Sequence, residues 1–383
     1  MTDMRRDADL PGRMSAAPRE PSSPFHSVTL EEDKCVGCAA CVGRCPADAI
    51  RLRAGRASVI GARCIDCGEC IRTCRHGARK AVSDPLSMIV GFRRKVALPA
   101  PALYGQFEKE WSVDRLLSGL LELGFDEVFD VAEAARLVTG AARALLAAAA
   151  AGGATGDTGG PRRPFVSSAC PAVVRIMRLR FPSLLSLLVP LLPPMEVAAR
   201  IVKDVLHRGE EGVGVFFISP CAGKVSAIRS PLGYARSALD GVIGLKDIHL
   251  RLREAAVSAP GRRLARGGRM DIEWARSGGE SDEVGERRSI SVDGIANVVG
   301  MLEELESGSL DGLSYIEALA CPGGCVGGPL AVVDPFIARS RLREREDAAG
   351  AQPAPAAVPA GAGRLSSGGP AGAWPVKVAR LKL

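Results

Sequence analysis

The sequence predicts an α/β protein in two parts, a small α+β cysteine-rich module followed by a larger α/β domain. Three observations predict it. A four-cysteine pattern occurs twice within residues 35–74. Past Lys80 apolar runs alternate with helical periodicity, and three of the later runs each end at a cysteine. The boundaries expected from these changes are a disordered tail over 1–27, the module over 28–80, the large domain over 81–343, and a low-complexity linker and tail over 344–383.

In the module, short strands are expected at 27–30, 50–53 and 57–60, between cysteine loops that start 29 residues apart. In the large domain, the apolar spacing of 111–123, stopped by Gly124, predicts an amphipathic helix, followed by a short strand at Val128-Phe129. An Ala-rich helix is expected over 133–151, a strand over 164–169 leading to Cys170, and a helix over 195–206. The continuous apolar run 213–218 reads as a buried strand delivering Cys221, and 313–320 repeats that arrangement before Cys321. Three such strands are expected to converge on one edge of a sheet. Residues 258–290 are polar and Gly-rich and read as a surface excursion, and the final stretch 374–383 as a strand or a docking peptide.

Composition narrows the function classes. A net charge of +7, spread along the chain, gives no case for nucleic-acid binding. The most apolar run, 181–195, is broken by four prolines and is shorter than the roughly 20 residues a bilayer requires. Arg5-Arg6 is followed by Asp7-Ala8-Asp9 with no apolar stretch behind it, so no secretory leader is expected. The twelve cysteines are then expected to be reduced and metal-bound, in the cytoplasm.

Cys35, Cys38, Cys41, Cys45 and Cys64, Cys67, Cys70, Cys74 each read C-x2-C-x2-C-x3-C, the ligand ladder of a ferredoxin-type module with two [4Fe-4S] clusters. In such modules the fourth cysteine crosses over. The expected sets are therefore Cys35, Cys38, Cys41 with Cys74, and Cys45 with Cys64, Cys67, Cys70. A zinc site would use two separated pairs rather than four cysteines within eleven residues. Pro46 completes the usual ending of the first run, and Arg75 replaces the second proline.

The other four cysteines lie in longer signatures: Ser167-Ser168-Ala169-Cys170-Pro171, Pro220-Cys221-Ala222-Gly223-Lys224, and Glu317-Ala318-Leu319-Ala320-Cys321-Pro322-Gly323-Gly324-Cys325. In that order they resemble the three signature loops of the iron-only ([FeFe]) hydrogenase large-subunit family, and the resemblance extends over about residues 30–335. It implies an iron-only-hydrogenase-like α/β catalytic domain. Cys170, Cys221, Cys321 and Cys325 would hold a third [4Fe-4S] cluster, with Cys325 bridging to a diiron unit carrying CO, cyanide and an azadithiolate. Lys224 would hydrogen-bond an iron-bound cyanide, and Gly323 and Gly324 would let backbone approach the cofactor. The reaction implied is H2 to two protons and two electrons, with electrons leaving through the clusters.

Departures from the family pattern narrow the resemblance. Ala169 stands where active members carry a proton-relay cysteine. The relay serine falls near Val189, and between Glu133 and Cys170 the sole acid is Asp157. Ser219 and Leu319 stand where the flanking methionines are expected. Such a chain resembles the sensory or regulatory branch, in which slow turnover is compatible with function. The alternative is a hydrogenase-like iron–sulfur assembly or electron-transfer protein without the diiron unit. Partners implied are a redox or signalling protein, and maturation enzymes if the diiron unit is present.

Overall fold

A computed structural model describes residues 25–151, 164–265, 272–310 and 312–349. Of the expectations above, those for 1–24, Asp157 and 350–383 lie outside the described residues.

The module comprises β1 (Val28–Leu30), α1 (Ala40–Gly43), β2 (Ile50–Arg53), β3 (Arg56–Val59), α2 (Glu69–Thr73) and β4 (Arg79–Ala81). β1 pairs antiparallel with β4 and β2 with β3, so its two halves close on each other. Gly37, at φ +69°, lies so close to the Gly55 carbonyl that an added Cβ would meet its oxygen at 2.3 Å. That close approach requires glycine. Ser27, where the expected tail and the expected first strand meet, is buried. Its amide and hydroxyl donate to Asp66 at 2.9 and 3.1 Å, and the hydroxyl also reaches the Ala222 carbonyl at 2.9 Å.

The large domain contains two parallel sheets rather than one. Its strands and helices run β5 (Arg94–Pro99), α3 (Val113–Glu122), β6 (Glu127–Val128), α4 (Val131–Ala151), β7 (Phe165–Val166), α5 (Pro171–Arg180), α6 (Pro194–Arg200), β8 (Val213–Ser219), α7 (Ala222–Arg229), β9 (Gly241–Gly244), α8 (Leu245–Ser258), α9 (Gly279–Val284), β10 (Ser289–Asp293), α10 (Ile295–Ser307), β11 (Tyr315–Leu319) and α11 (Pro335–Ala349). The first sheet has the order β6-β5-β8-β9 and the second β10-β11-β7. The expectation that three cysteine-bearing strands share one sheet edge is thereby corrected: β8 belongs to the first sheet, β7 and β11 to the second.

Local chemistry explains the elements. α3 is capped by Ser112, whose hydroxyl accepts from the Arg115 amide at 3.2 Å. It buries Leu116, Leu117 and Leu120 completely, each burial contributing roughly 1.5–3 kcal/mol. Gly119 lets it close on α8, where a Cβ would come within 3.1 Å of the Ala256 backbone. Every residue of β8 is buried, as a strand covered on both faces demands. Among the described residues no helix is long and apolar enough to cross a membrane.

Two expectations about irregular segments need correction. Within 258–290, the described residues Ile272, Trp274, Ala275, Glu280, Ser281, Glu283 and Val284 are buried, and this stretch forms α9. Residues 272–284 are therefore largely interior structure, whereas 258 and 260–263 are exposed as a surface excursion would be. The large domain also runs past 343: α11 extends to Ala349, and buried Arg345 donates to the carbonyls of Tyr104, Phe107, Glu108 and Trp111. One guanidinium thus satisfies four backbone acceptors that would otherwise be stranded. Arg345→Ala is expected to cost about 3 kcal/mol of unfolding free energy, measured by urea titration, because those carbonyls lose a charged donor.

Candidate functional site

The cysteines lie in three groups. One hollow, with about 350 Å³ of space between atoms including its open mouth, is lined by Cys35, Cys38, Cys41 and Cys74. A second of the same size is lined by Cys45, Cys64, Cys67 and Cys70. The backbone pairing of β1 with β4 carries Cys74 back to the first run, which is the physical origin of the crossover. Backbone N–H groups of Ala57 and Gly37 aim at Cys35 and hold its thiol below the usual cysteine range. The Ala49 amide lies 3.2 Å from Cys45 Sγ. In the second hollow burial dominates and pushes the Cys70 thiol up to about 12, with Cys64 and Cys67 raised as well.

The third group forms where the C-terminal ends of strands from both sheets meet. β7 leads to Cys170, β8 to Cys221 and β11 to Cys321, and Cys325 opens the single turn that follows. Cys170 and Cys221 stand at the N-caps of α5 and α7, so two helix N-termini face the group and favour negative charge there. Cys221, Cys321 and Cys325 lie deep in the fold yet keep part of their surface uncovered, as side chains facing an internal space do. Burial raises all three thiols, Cys325 to about 12, while Lys224 opposes that rise at Cys221 and Cys325.

Lys224 completes the group. It is 8% exposed, with its ammonium 5.4 Å from the centre of the Phe217 ring. Burial opposes its charge, but Cys325, Cys221, Cys170 and Cys321 together outweigh burial and raise its pKa. No carboxylate among the described residues pairs with it.

The glycines of the third loop also seat that loop against the rest of the domain. A Cβ on Gly324, at φ +94°, would meet the Ser277 amide at 2.5 Å, and one on Gly328 the Pro220 oxygen at 2.3 Å. Gly324 thus seats the third cysteine loop against residues 275–277, and Gly328 seats it against the loop that carries Cys221. Gly323, at φ +74°, faces Pro335.

Ala169 is buried and packs with Ala135 and Trp274. The Trp274 indole donates to Thr139 at 3.3 Å, and Thr139 bonds the Ala135 carbonyl and Glu283. An aromatic plug therefore fills the side of Ala169 towards α4. Val189 is likewise buried, and its amide pairs with the Val166 carbonyl.

The sequence reading missed two features. His26 comes within 4.8 Å of Cys64 and Asp66, a tertiary contact with no signal in local spacing. Glu280 and Glu317 form a buried acid pair behind the third group. Ser167 and Tyr315 donate to Glu280 at 2.7 and 2.8 Å. Glu317 accepts from the amides of Gly278 and Ser281 at 3.1 and 2.8 Å. Glu317 was visible inside the third signature, whereas Glu280 lay in a stretch whose polarity suggested solvent.

The module is bolted to the large domain beside this group. Asp66 pairs with Arg175 at 3.0 Å, Arg72 donates to the Cys67 and Gly327 carbonyls, and Gly68 lies against Pro329. Four soft thiolate donors around each hollow fit iron–sulfur chemistry.

Comparison with known proteins agrees with this geometry. Residues 27–75 match the family described as 4Fe-4S dicluster domain, and residues 93–262 and 272–329 match "Iron only hydrogenase large subunit, C-terminal domain". No curated protein matches the chain. Among solved structures, a glutamate-to-alanine variant of [FeFe]-hydrogenase HydA1 from Chlamydomonas reinhardtii is 16% identical, with TM-score 0.51 over 67% of this chain and 87% of that one. An apo form of the same hydrogenase with a cysteine-to-histidine substitution is 15% identical, with TM-score 0.51 over 68% and 88%. At these identities the likeness shows the fold. The match of more than half of its residues to one profile settles the family: the chain belongs to the iron-only hydrogenase large-subunit family and is a hydrogenase-like iron–sulfur protein with a ferredoxin module ahead of the family's C-terminal domain.

Proposed function

We propose that this chain is a slow or H2-sensing hydrogenase that converts H2 to two protons and two electrons and passes the electrons through two [4Fe-4S] clusters. Cys35, Cys38, Cys41 and Cys74 would hold the outer cluster, and Cys45, Cys64, Cys67 and Cys70 the inner one. Cys170, Cys221, Cys321 and Cys325 would hold a third, with Cys325 bridging to a diiron unit. That unit, when bound, supplies the metal chemistry of hydrogen cleavage.

The single observation that carries the reading is Lys224. A buried ammonium facing four thiols, with no carboxylate in salt-bridge contact among the described residues, is suited to hold a further anionic ligand close by. Cyanide ligands on a diiron unit would provide it, and a fixed cation in a dry pocket would hold them in one orientation. Phe217 keeps water from the ammonium's flank.

The same residues account for low flux. Ala169 has no exchangeable proton, Trp274 and Ala135 close the route behind it, and the described part of α4 offers Glu133 alone as an acid. A general acid–base relay contributes roughly 10²- to 10⁴-fold, so loss of the family's cysteine relay slows turnover while leaving hydrogen binding intact. Sensing needs an occupancy-dependent change of redox state more than it needs flux.

The deciding experiment is an anaerobic infrared spectrum after cluster reconstitution and addition of a synthetic diiron cofactor. CO and cyanide bands that respond to hydrogen are expected. Their absence, with iron for three clusters present, would replace this reading with that of an assembly or electron-transfer protein. Cys325→Ala is expected to abolish those bands while the electron paramagnetic resonance of the two module clusters persists; loss of every cluster would contradict modular assembly. Ala169→Cys is expected to raise turnover less than about tenfold, because Trp274 still blocks the route; recovery by the roughly 10²- to 10⁴-fold of an intact relay would show that route to be open.

A further inference from the structure

Two buried acids of this domain, Glu280 and Glu317, lie between α9 and β11, close to the strand end that carries Ala169. Glu280 is 3% exposed and Glu317 1%. The Ser167 hydroxyl donates to Glu280 Oε2 at 2.7 Å and accepts from the Ala169 amide at 3.2 Å. One end of the cluster therefore touches the residue at which the family's relay cysteine is missing. At the other end, Glu317 accepts from the Ser291 hydroxyl at 3.3 Å, and Ser291 is exposed on β10, the edge strand of its sheet. The Ser281 hydroxyl is buried beside the Glu317 carboxylate, between α9 and β11.

We infer that Glu280, with Glu317 behind it, is the proton-holding group of this site, reached from the Ala169 position through the Ser167 hydroxyl and opening towards the β10 edge. The inference rests on the hydrogen-splitting reading above. The transfer is one proton in and one out: Ser167 passes its hydroxyl proton to the Glu280 carboxylate as it receives one from the site side. The two electrons of each H2 leave separately, through the clusters to a one-electron acceptor.

The surroundings suit a carboxyl that exchanges its proton near neutrality. Burial raises both acids, and the charge on Glu280 raises Glu317 further, to about 8 despite the amides of Ser281 and Gly278. Ser167, Tyr315 and the charge of Lys224 on α7 pull Glu280 back down. From β11, the facing groups are Tyr315 and Glu317; from β10, Ser291. From α4, Arg143 is engaged with the Glu283 and Val284 carbonyls and Thr139 with Glu283. Arg276, beside α9, is engaged with Glu273 and Asp282. A carboxyl raised in the folded state holds its proton more tightly there, so its stabilising effect is present at low pH and is lost as pH rises from about 4.5 to about 8.

The first test needs no diiron unit. In the full chain with its [4Fe-4S] clusters reconstituted, infrared difference spectra on raising pH through neutrality are expected to show loss of a protonated carboxylic-acid C=O band, absent in Glu280→Gln and Glu317→Gln. Urea titrations are expected to show the parent losing stability over that rise and Glu317→Gln losing less. A band that is missing from the parent, or unchanged in both variants, overturns the inference. With a synthetic diiron cofactor loaded, Glu280→Gln is expected to lower H2-dependent methyl viologen reduction by roughly 10²-fold, with partial recovery in Glu280→Asp and unchanged CO and cyanide bands. Parental turnover and pH profile in Glu280→Gln would exclude it. Should Glu280→Gln fail to fold, Tyr315→Phe removes one bond that lowers the Glu280 pKa, so the acidic limb of the pH profile should move upward; an unmoved limb overturns the assignment. Failure of cofactor loading would remove the hydrogenase reading, while the cluster-only spectra still decide whether Glu280 and Glu317 hold a proton.

Discussion

Four thiols brought together in the interior of a protein resist ionising, because burial penalises each thiolate and each thiolate penalises its neighbours. Much of the large domain answers that electrostatic constraint. The strands that carry Cys170, Cys221 and Cys321 are parallel, so their C-terminal ends meet the N-termini of α5 and α7, where backbone N–H groups are unpaired. Lys224, on the first turn of α7, adds a full charge with no carboxylate in salt-bridge contact among the described residues. Glycines at the loop contacts let the backbone segments close without a side chain between them.

Ligand chemistry was readable from the chain because it fixes residue type and spacing together. Eight cysteines in a repeated pattern admit few structures, and Lys224 and the glycines made the other four informative. Sheet membership was not readable in the same way. β8 and β11 are both continuous apolar runs ending at a cysteine, and nothing in such a run states which neighbour it will pair with. The two sheets emerge only from their central strands: β5 draws β8 into one, while β10 draws β11 into the other.

Polarity misled where partners were distant in sequence. The 258–290 stretch carries carboxylates, glycines and arginines that suit a solvated loop, yet Glu280 is satisfied by Ser167 and Tyr315, at separations of 113 and 35 residues. Arg345 misled similarly: four carbonyls more than 200 residues away hold it inside, and the helix must continue far enough to place it there. A charged residue is a surface signal only when its counter-groups are absent, and tertiary structure decides that.

The joint between module and domain has a mechanical meaning. Ser27, Asp66, Arg72 and Gly68 tie the module to α5, α7 and the third cysteine loop by short bonds and direct contact, with no linker to swing on. The spacing between inner and third cysteine groups is therefore a property of the fold, not of a diffusive search. Exchange with the outside meets the opposite condition: Cys38 is exposed and Val36 beside it is 64% exposed, at the far hollow. Under the proposed function, electrons would move between groups held at fixed spacing, while the exposed Cys38 end would be where a carrier collides.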